Sequence, residues 1–302
     1  MESKIFSDHL KELGVEDGLI NLMVVIADAS KKVSKAVKSG NLGLAGTENV
    51  YGEKQLALDV QSDNIIQEEL KGSGLVACMA SEELPDDIKC EKGEFSVAYD
   101  PLDGSSLVDV NLAVGTIVGI YPGKGFIGRK GDEQVASMIF IYGPRTTLIC
   151  TARKGVHEYL MDDAGSYYLT KEDLQVAEEG KMFAPGNLRA TSQREDYMKL
   201  MEYWMREEYK LRYSGGMVPD INQILLKGKG IFTYPGYGDQ PNGKLRLLFE
   251  CAPMALLMEQ AGGKATDGKM RILDKEVTEL SQRTPIYIGS TKEVEKVEEF
   301  LG

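Results

Sequence analysis

The stretch Asp100-Pro-Leu-Asp103-Gly-Ser-Ser106 sets two carboxylates three residues apart and follows them with three small residues. Residues 95–99 read as a strand ending at Asp100, because Pro101 forbids further ladder pairing. Asp103 comes one turn later, so both carboxylates can point into one pocket. Gly104, Ser105 and Ser106 suit a helix N-terminus or an amide nest, whose free N–H groups favour a phosphate. Other acids stand in comparable settings: Glu82 and Glu83 after the apolar run 75–80, Glu53 and Asp59 upstream, and Glu250 in Lys244-Leu-Arg-Leu-Leu-Phe-Glu250-Cys-Ala-Pro253. Hard divalent cations take oxygen ligands, and Mg2+ keeps positions open for water and a substrate phosphate. Converged, these acids would bind two or three metal ions, clamp phosphoryl oxygens and activate a water. Singly each motif is ordinary, since Asp-x-x-Asp-Gly is a common turn and a Glu pair is commonly a solvated face. The weight lies in two acid clusters that each end a strand, joined to a Gly-Ser-Ser cap.

The hydrophobic pattern supplies elements to position these groups. Leu10, Leu13, Ile20, Val24, Ala27, Val33 and Val37 recur at helical spacing, with a break over 14–18 and a stop at Gly40. A glycine-rich loop is expected over 40–52 and a helix over 53–70, which puts Asp59 and Asp63 on one face. Strands are expected at 75–80 and 95–99, and open α/β sheets bind ligands at the C-terminal ends of strands. A meander over 114–121, 135–142, 146–152 and 156–160 follows, with turns at Pro144-Arg145 and Lys154-Gly155. Near residue 180 the pattern resets. Helices are expected over 195–209, 219–226, 252–261 and 291–301, and strands over 230–234 and 286–289. The expectation is a layered α/β (α+β) fold with domains 1–180, carrying most of the acids, and 181–302.

A chain of 302 residues, 42% hydrophobic and 27% charged, suits a folded globular protein. Its net charge of −12 disfavours nucleic acid and anionic membranes as partners. With no long apolar run, a membrane span is not expected. The N-terminus has no signal or transit pattern, so a cytoplasmic location is expected. Cys78, Cys90, Cys150 and Cys251 fit no zinc spacing and read as reduced, mostly buried thiols, a Cys78–Cys90 disulfide being the alternative.

Several familiar signatures fail. Gly123-Lys-Gly125-Phe-Ile-Gly128 matches G-x-G-x-x-G as a string, but no apolar helix follows, so it reads as a loop. Arg129-Lys130 stands where a P-loop needs Lys then Ser or Thr. No cysteine has an arginine six residues later, as a thiol phosphatase requires, and no G-x-S-x-G elbow exists. His9 and His157, the two histidines, read as surface or strand residues rather than nucleophiles. The chemistry is left to carboxylates and metal.

Asp100-Pro-Leu-Asp-Gly-Ser-Ser106 resembles the signature of the lithium-sensitive sugar and inositol phosphatase superfamily. Ser81-Glu-Glu83 and the 244–253 stretch look like class I fructose-1,6-bisphosphatase, and the resemblance covers about 22–289. Residues 183–191, 211–222 and 131–136 look like the sedoheptulose-1,7-bisphosphatase branch. The resemblance implies an αβαβα sugar phosphatase fold and removal of the 1-phosphate from a ketose bisphosphate in carbohydrate metabolism. It implies Mg2+, replaceable by Mn2+, held by Glu82, Asp100, Asp103 and Glu250, with Glu83 and the Leu102 carbonyl assisting. Asp59 and Glu83 would prepare the attacking water, with Glu53 nearby. Asp103 and the amides of Gly104, Ser105 and Ser106 would steady the 1-phosphate. Asn187, Tyr213, Tyr234 and Lys244 would meet the distal phosphate, and Gly216 and Met217 would line the sugar. Arg212 would reach across from a neighbouring subunit, which implies a homo-oligomer, dimer or tetramer. Metals on one side, and Arg212 and Lys244 on the other, would reverse the sign of an acidic chain at its site.

The departures carry expectations too. Where animal fructose bisphosphatases present Lys-Tyr for AMP, this chain has Glu94-Phe95, and Pro122 replaces an arginine. A phosphate facing Glu94 is repelled, so a steady-state assay is expected to find weak or no inhibition by AMP; strong inhibition would refute this. The redox cysteine pair of the chloroplast sedoheptulose enzyme is missing. An inositol-monophosphatase-like activity fits less well, since Lys244 and Arg212 suit a second phosphate. A metal-binding regulator that kept only the fold is disfavoured by the intact acid set.

Overall fold

The computed structural model describes residues 4–39, 44–48 and 54–301. The chain opens with α1 (Phe6–Glu12) and α2 (Asp17–Ser39), broken as the 14–18 stretch predicts, with Gly14 at φ 72°. Strands β1 (Leu44–Glu48) and β2 (Lys54–Leu56) pair where a loop and the start of a helix were expected, so α3 begins later, at Ala57–Ser73. Then come β3 (Val76–Ser81), β4 (Ile88–Lys89), β5 (Phe95–Asp103), β6 (Val114–Pro122), β7 (Ala136–Tyr142), β8 (Thr146–Thr151), β9 (His157–Met161) and β10 (Tyr167–Lys171). The later half holds β11 (Met182–Pro185), α4 (Glu195–Arg206), β12 (Lys210–Leu211), α5 (Met217–Lys227), β13 (Ile231–Tyr234), α6 (Ala252–Gln260), β14 (Lys264–Thr266), β15 (Ile286–Gly289) and α7 (Thr291–Leu301).

Two mixed sheets result. The larger has eight strands in the order β10-β9-β8-β7-β6-β5-β3-β4, the smaller five in the order β12-β11-β13-β15-β14. Period-two alternation sends successive side chains to opposite faces, which explains the layering. Val97, Tyr99, Met138 and Phe140 pack with α1–α3 on one face of the larger sheet. Ala98, Ile117, Ile139 and Ile141 face the other way, into a core shared with α5, α6 and Phe232 of the smaller sheet. Phe183, Ile231 and Tyr287 emerge beyond it and pack against Trp204 of α4 and Val294 of α7. The sequence of layers is αβαβα, as expected, and the middle core is built from both halves of the chain.

Two further sequence expectations are corrected. Asp100 does not end its strand: β5 continues through Pro101 to Asp103, because the register slips between Asp100↔Ile117 and Asp103↔Gly115. A bulge of this kind tolerates a proline that has no N–H to give. His9 is not a surface residue but is buried, its Nδ1 lying 2.7 Å from Tyr159 Oη and its Nε2 3.2 Å from Glu172. His157 is likewise buried, at the start of β9. The cysteines are free thiols, with Cys90 partly exposed and the others buried. No described helix is long and apolar enough to cross a membrane.

Candidate active site

Strands β3 and β5 run parallel, so their C-terminal ends deliver Glu82, Glu83, Asp100 and Asp103 to one edge of the larger sheet. Glu250 arrives from a buried π-helical turn, Leu247–Cys251, of the sort that recurs at functional sites. Asp59 projects from the first turn of α3. Its neighbour on that face, Asp63, serves the scaffold instead. It accepts hydrogen bonds from Tyr99 Oη at 2.9 Å and Gln67 at 2.6 Å and anchors α3 to β5.

One cavity of about 300 Å3 collects these groups. Its lining includes Asp59, Glu82, Glu83, Asp100, Leu102, Asp103, Gly104, Ser105, Ser106, Tyr213, Gly216, Met217, Tyr234, Lys244 and Glu250, all expected from the sequence. Oxygens of Glu82, Asp100 and Glu250 all lie within 4.8 Å of one another. Asp103 stands beside that trio, its Oδ2 accepting the Val218 N–H of α5 at 2.7 Å. Asn187 and Arg212 do not line the cavity. Asn187, at φ 53°, donates its amide to Pro235 O at 2.9 Å, next to Tyr234, whereas Arg212 is exposed beyond the edge strand β12. Glu53 lies outside the described residues.

The sequence reading missed Arg246, which also lines the cavity and forms a buried ion pair with Glu82. Its signal was available: in an extended segment, Lys244 and Arg246 share one face.

The buried acids interfere with one another electrostatically. Burial, together with Glu82, Asp103 and Glu250, pushes Asp100 well above the usual carboxylate range. Burial raises Asp103 to about 7 despite the Val218 hydrogen bond, and raises Glu250 to about 7 although Arg246 opposes it. An all-oxygen, anionic, mutually repelling donor set fits a hard divalent cation, which would relieve that repulsion.

The facing loop is tied down locally. Gly104, at φ 76°, comes so near the partner loop that a Cβ would sit 3.6 Å from Gly216 Cα and 3.3 Å from the Leu107 side chain. Asp220 accepts Ser214 N–H at 3.0 and 3.2 Å through its two oxygens, which fixes the turn carrying Tyr213 and Met217. Asp220→Ala is expected to raise KM for the substrate about tenfold while changing kcat much less, since hydrogen bonds to charged groups contribute about 1.5–3 kcal/mol. Equal losses in kcat and kcat/KM would contradict this.

The comparisons agree along the whole chain. Residues 3–172 match the fructose-1-6-bisphosphatase N-terminal domain and 176–302 the fructose-1-6-bisphosphatase C-terminal domain. The class 1 fructose-1,6-bisphosphatase of Trichlorobacter lovleyi is 52% identical over 301 residues, 98% of this chain and 94% of that one. The chloroplastic sedoheptulose-1,7-bisphosphatase of Spinacia oleracea is 44% identical over 97% of this chain and 77% of its own. The fold is similar to the crystal structure of Leishmania major fructose-1,6-bisphosphatase in holo form, with a TM-score of 0.94 at 31% identity over 99% of each chain. With both domain models matched in order and half of its residues shared with named relatives, the chain belongs to the fructose-1,6-bisphosphatase family.

Proposed function

We propose that this protein hydrolyses the 1-phosphate of fructose 1,6-bisphosphate in a Mg2+-dependent reaction. The observation that carries the reading is the Glu82–Asp100–Glu250 trio sharing one cavity with Tyr213, Tyr234 and Lys244. Glu82, Asp100 and Glu250 would hold the ions, assisted by Asp103, Glu83 and the Leu102 carbonyl. Divalent ions bound there supply Lewis acidity and lower the pKa of a coordinated water. Asp59 or Glu83 would take the proton of the attacking water, and as the ester P–O bond breaks the departing sugar oxygen takes a proton from solvent. The Gly104, Ser105 and Ser106 amides orient the phosphoryl oxygens for in-line attack, so catalysis is mainly positioning and charge stabilisation. Tyr213, Tyr234 and Lys244 receive the distal phosphate, and Asn187 supports the Tyr234 segment. Gly216 and Met217 contact the sugar.

Two finer elements belong to the proposal. Arg212, exposed next to a sheet edge, reaches the distal phosphate of a neighbouring subunit in a homo-oligomer. Sedoheptulose 1,7-bisphosphate is a second substrate, a reading favoured by the 44% identical spinach relative. The 52% identical relatives named as fructose-1,6-bisphosphatases favour fructose as the better one. Phosphate release from both sugars, with and without Mg2+, tests this. We expect kcat/KM to be higher for fructose 1,6-bisphosphate and turnover to vanish in chelator. Metal-independent release, or none from either sugar, would overturn it.

A further inference from the structure

We propose a second anion site, suited to a phosphate group, on the back of the segment that carries Lys244. A separate cavity of about 400 Å3 lies between the start of α4, the turn after β14 and the approach to β15. Its lining holds four cationic side chains, Arg194, Lys269, Lys275 and Arg283, against one carboxylate, Asp267. In a chain of net charge −12 this is a local reversal of sign, which concentrates anions. Asp267 is already engaged: it pairs with Lys275 and accepts the Lys269 and Met270 N–H groups at 2.9 and 2.8 Å. Arg194 pairs with Asp196, just outside the lining, and its Nη1 lies 3.4 Å from Tyr287 Oη. Guanidinium and ammonium groups around one cavity match the oxygens of a phosphate.

The two cavities are joined by backbone. Thr284 N donates to Leu245 O at 3.1 Å and Leu247 N to Gln282 O at 2.7 Å. The segment bearing Arg283 is thus paired with the one bearing Lys244 and Arg246, which line the active site. An anion held by Arg283 bears on the position of Lys244, and the coupling acts equally in both directions.

Equilibrium dialysis of metal-free protein against inorganic phosphate at low ionic strength tests the site. Wild type is expected to bind two equivalents, one lost in Lys244→Ala and the other weakened at least tenfold in Lys269→Glu. Lys269 is exposed, so the variant should keep its circular dichroism and its basal turnover. A single equivalent that disappears in Lys244→Ala, or a second one indifferent to Lys269→Glu, would overturn the proposal. Binding is read without turnover, so its outcome is distinguishable from a failure of the proposed phosphatase activity.

Discussion

Asp100→Asn should abolish turnover while making the metal-free protein more stable. The carboxamide keeps the oxygen that accepts Leu102 N–H at 2.9 Å, so local geometry survives. It removes one charge from a buried cluster in which Glu82, Asp103 and Glu250 all oppose ionisation of Asp100. We expect kcat to fall at least 10³-fold, about 4 kcal/mol of transition-state stabilisation. The stability gain follows from linkage. These carboxylates titrate higher in the folded chain than the ordinary value near 4, so the folded state holds extra protons between about pH 4 and 7. Stability of the metal-free wild type therefore falls as pH rises through that window, with Asp103 and Glu250 both at about 7. In Asp100→Asn the fall should be shallower, as urea titrations at several pH values would read. Turnover within tenfold of wild type would remove the site assignment. An unchanged pH slope would remove the electrostatic argument.

Arg246→Ala should act in the opposite sense on stability. The guanidinium is almost fully buried and pairs with Glu82, whose side chain is only 12% exposed. Breaking such a pair from one side leaves a charge in low dielectric and costs about 3–5 kcal/mol. Arg246 also opposes the rise of the Glu250 pKa, so its loss raises protonation of a second carboxylate of the trio. We expect a large drop in the thermal midpoint of the metal-free protein, with Mg2+ recovering much of it because the ion becomes the new counter-charge for Glu82. Turnover should fall as well, since Mg2+ must then compete with a proton at Glu250. A midpoint unaffected by the substitution, or by Mg2+ in the variant, would contradict this.

The acid clusters were legible in the sequence because strand ends and turn residues are local signals. Glu82 follows β3, and Asp100 and Asp103 lie at the close of β5, in parallel strands whose pairing brings them together. A layered α/β arrangement was legible from the mixture of helical and strand patterns and its αβαβα order from the resemblance; the nearly continuous apolar run 136–142 is covered on both faces. What escaped depends on partners distant in the chain. The extension of β5 past Pro101 is decided by β6, not by the proline. His9 is buried because Tyr159 and Glu172 satisfy both ring nitrogens. β14 is three residues long and exists only as a partner of β15. Arg246 sat inside a motif that was read for Lys244 and Glu250, and only the fold reveals that it reaches Glu82. The substrate-facing set Asn187, Arg212, Tyr213, Gly216, Met217, Tyr234 and Lys244 rests on resemblance, and of these Asn187 and Arg212 do not line the cavity of the single chain.

The central claim is that Glu82, Asp100 and Glu250 converge to hold a divalent ion. Crystals equilibrated with Mn2+ and measured at its absorption edge would locate the ion directly. An anomalous peak is expected with oxygens of these three side chains as ligands. A Mn2+-activated enzyme whose ion lay elsewhere, with the three carboxylates bonded only to protein groups, would contradict it.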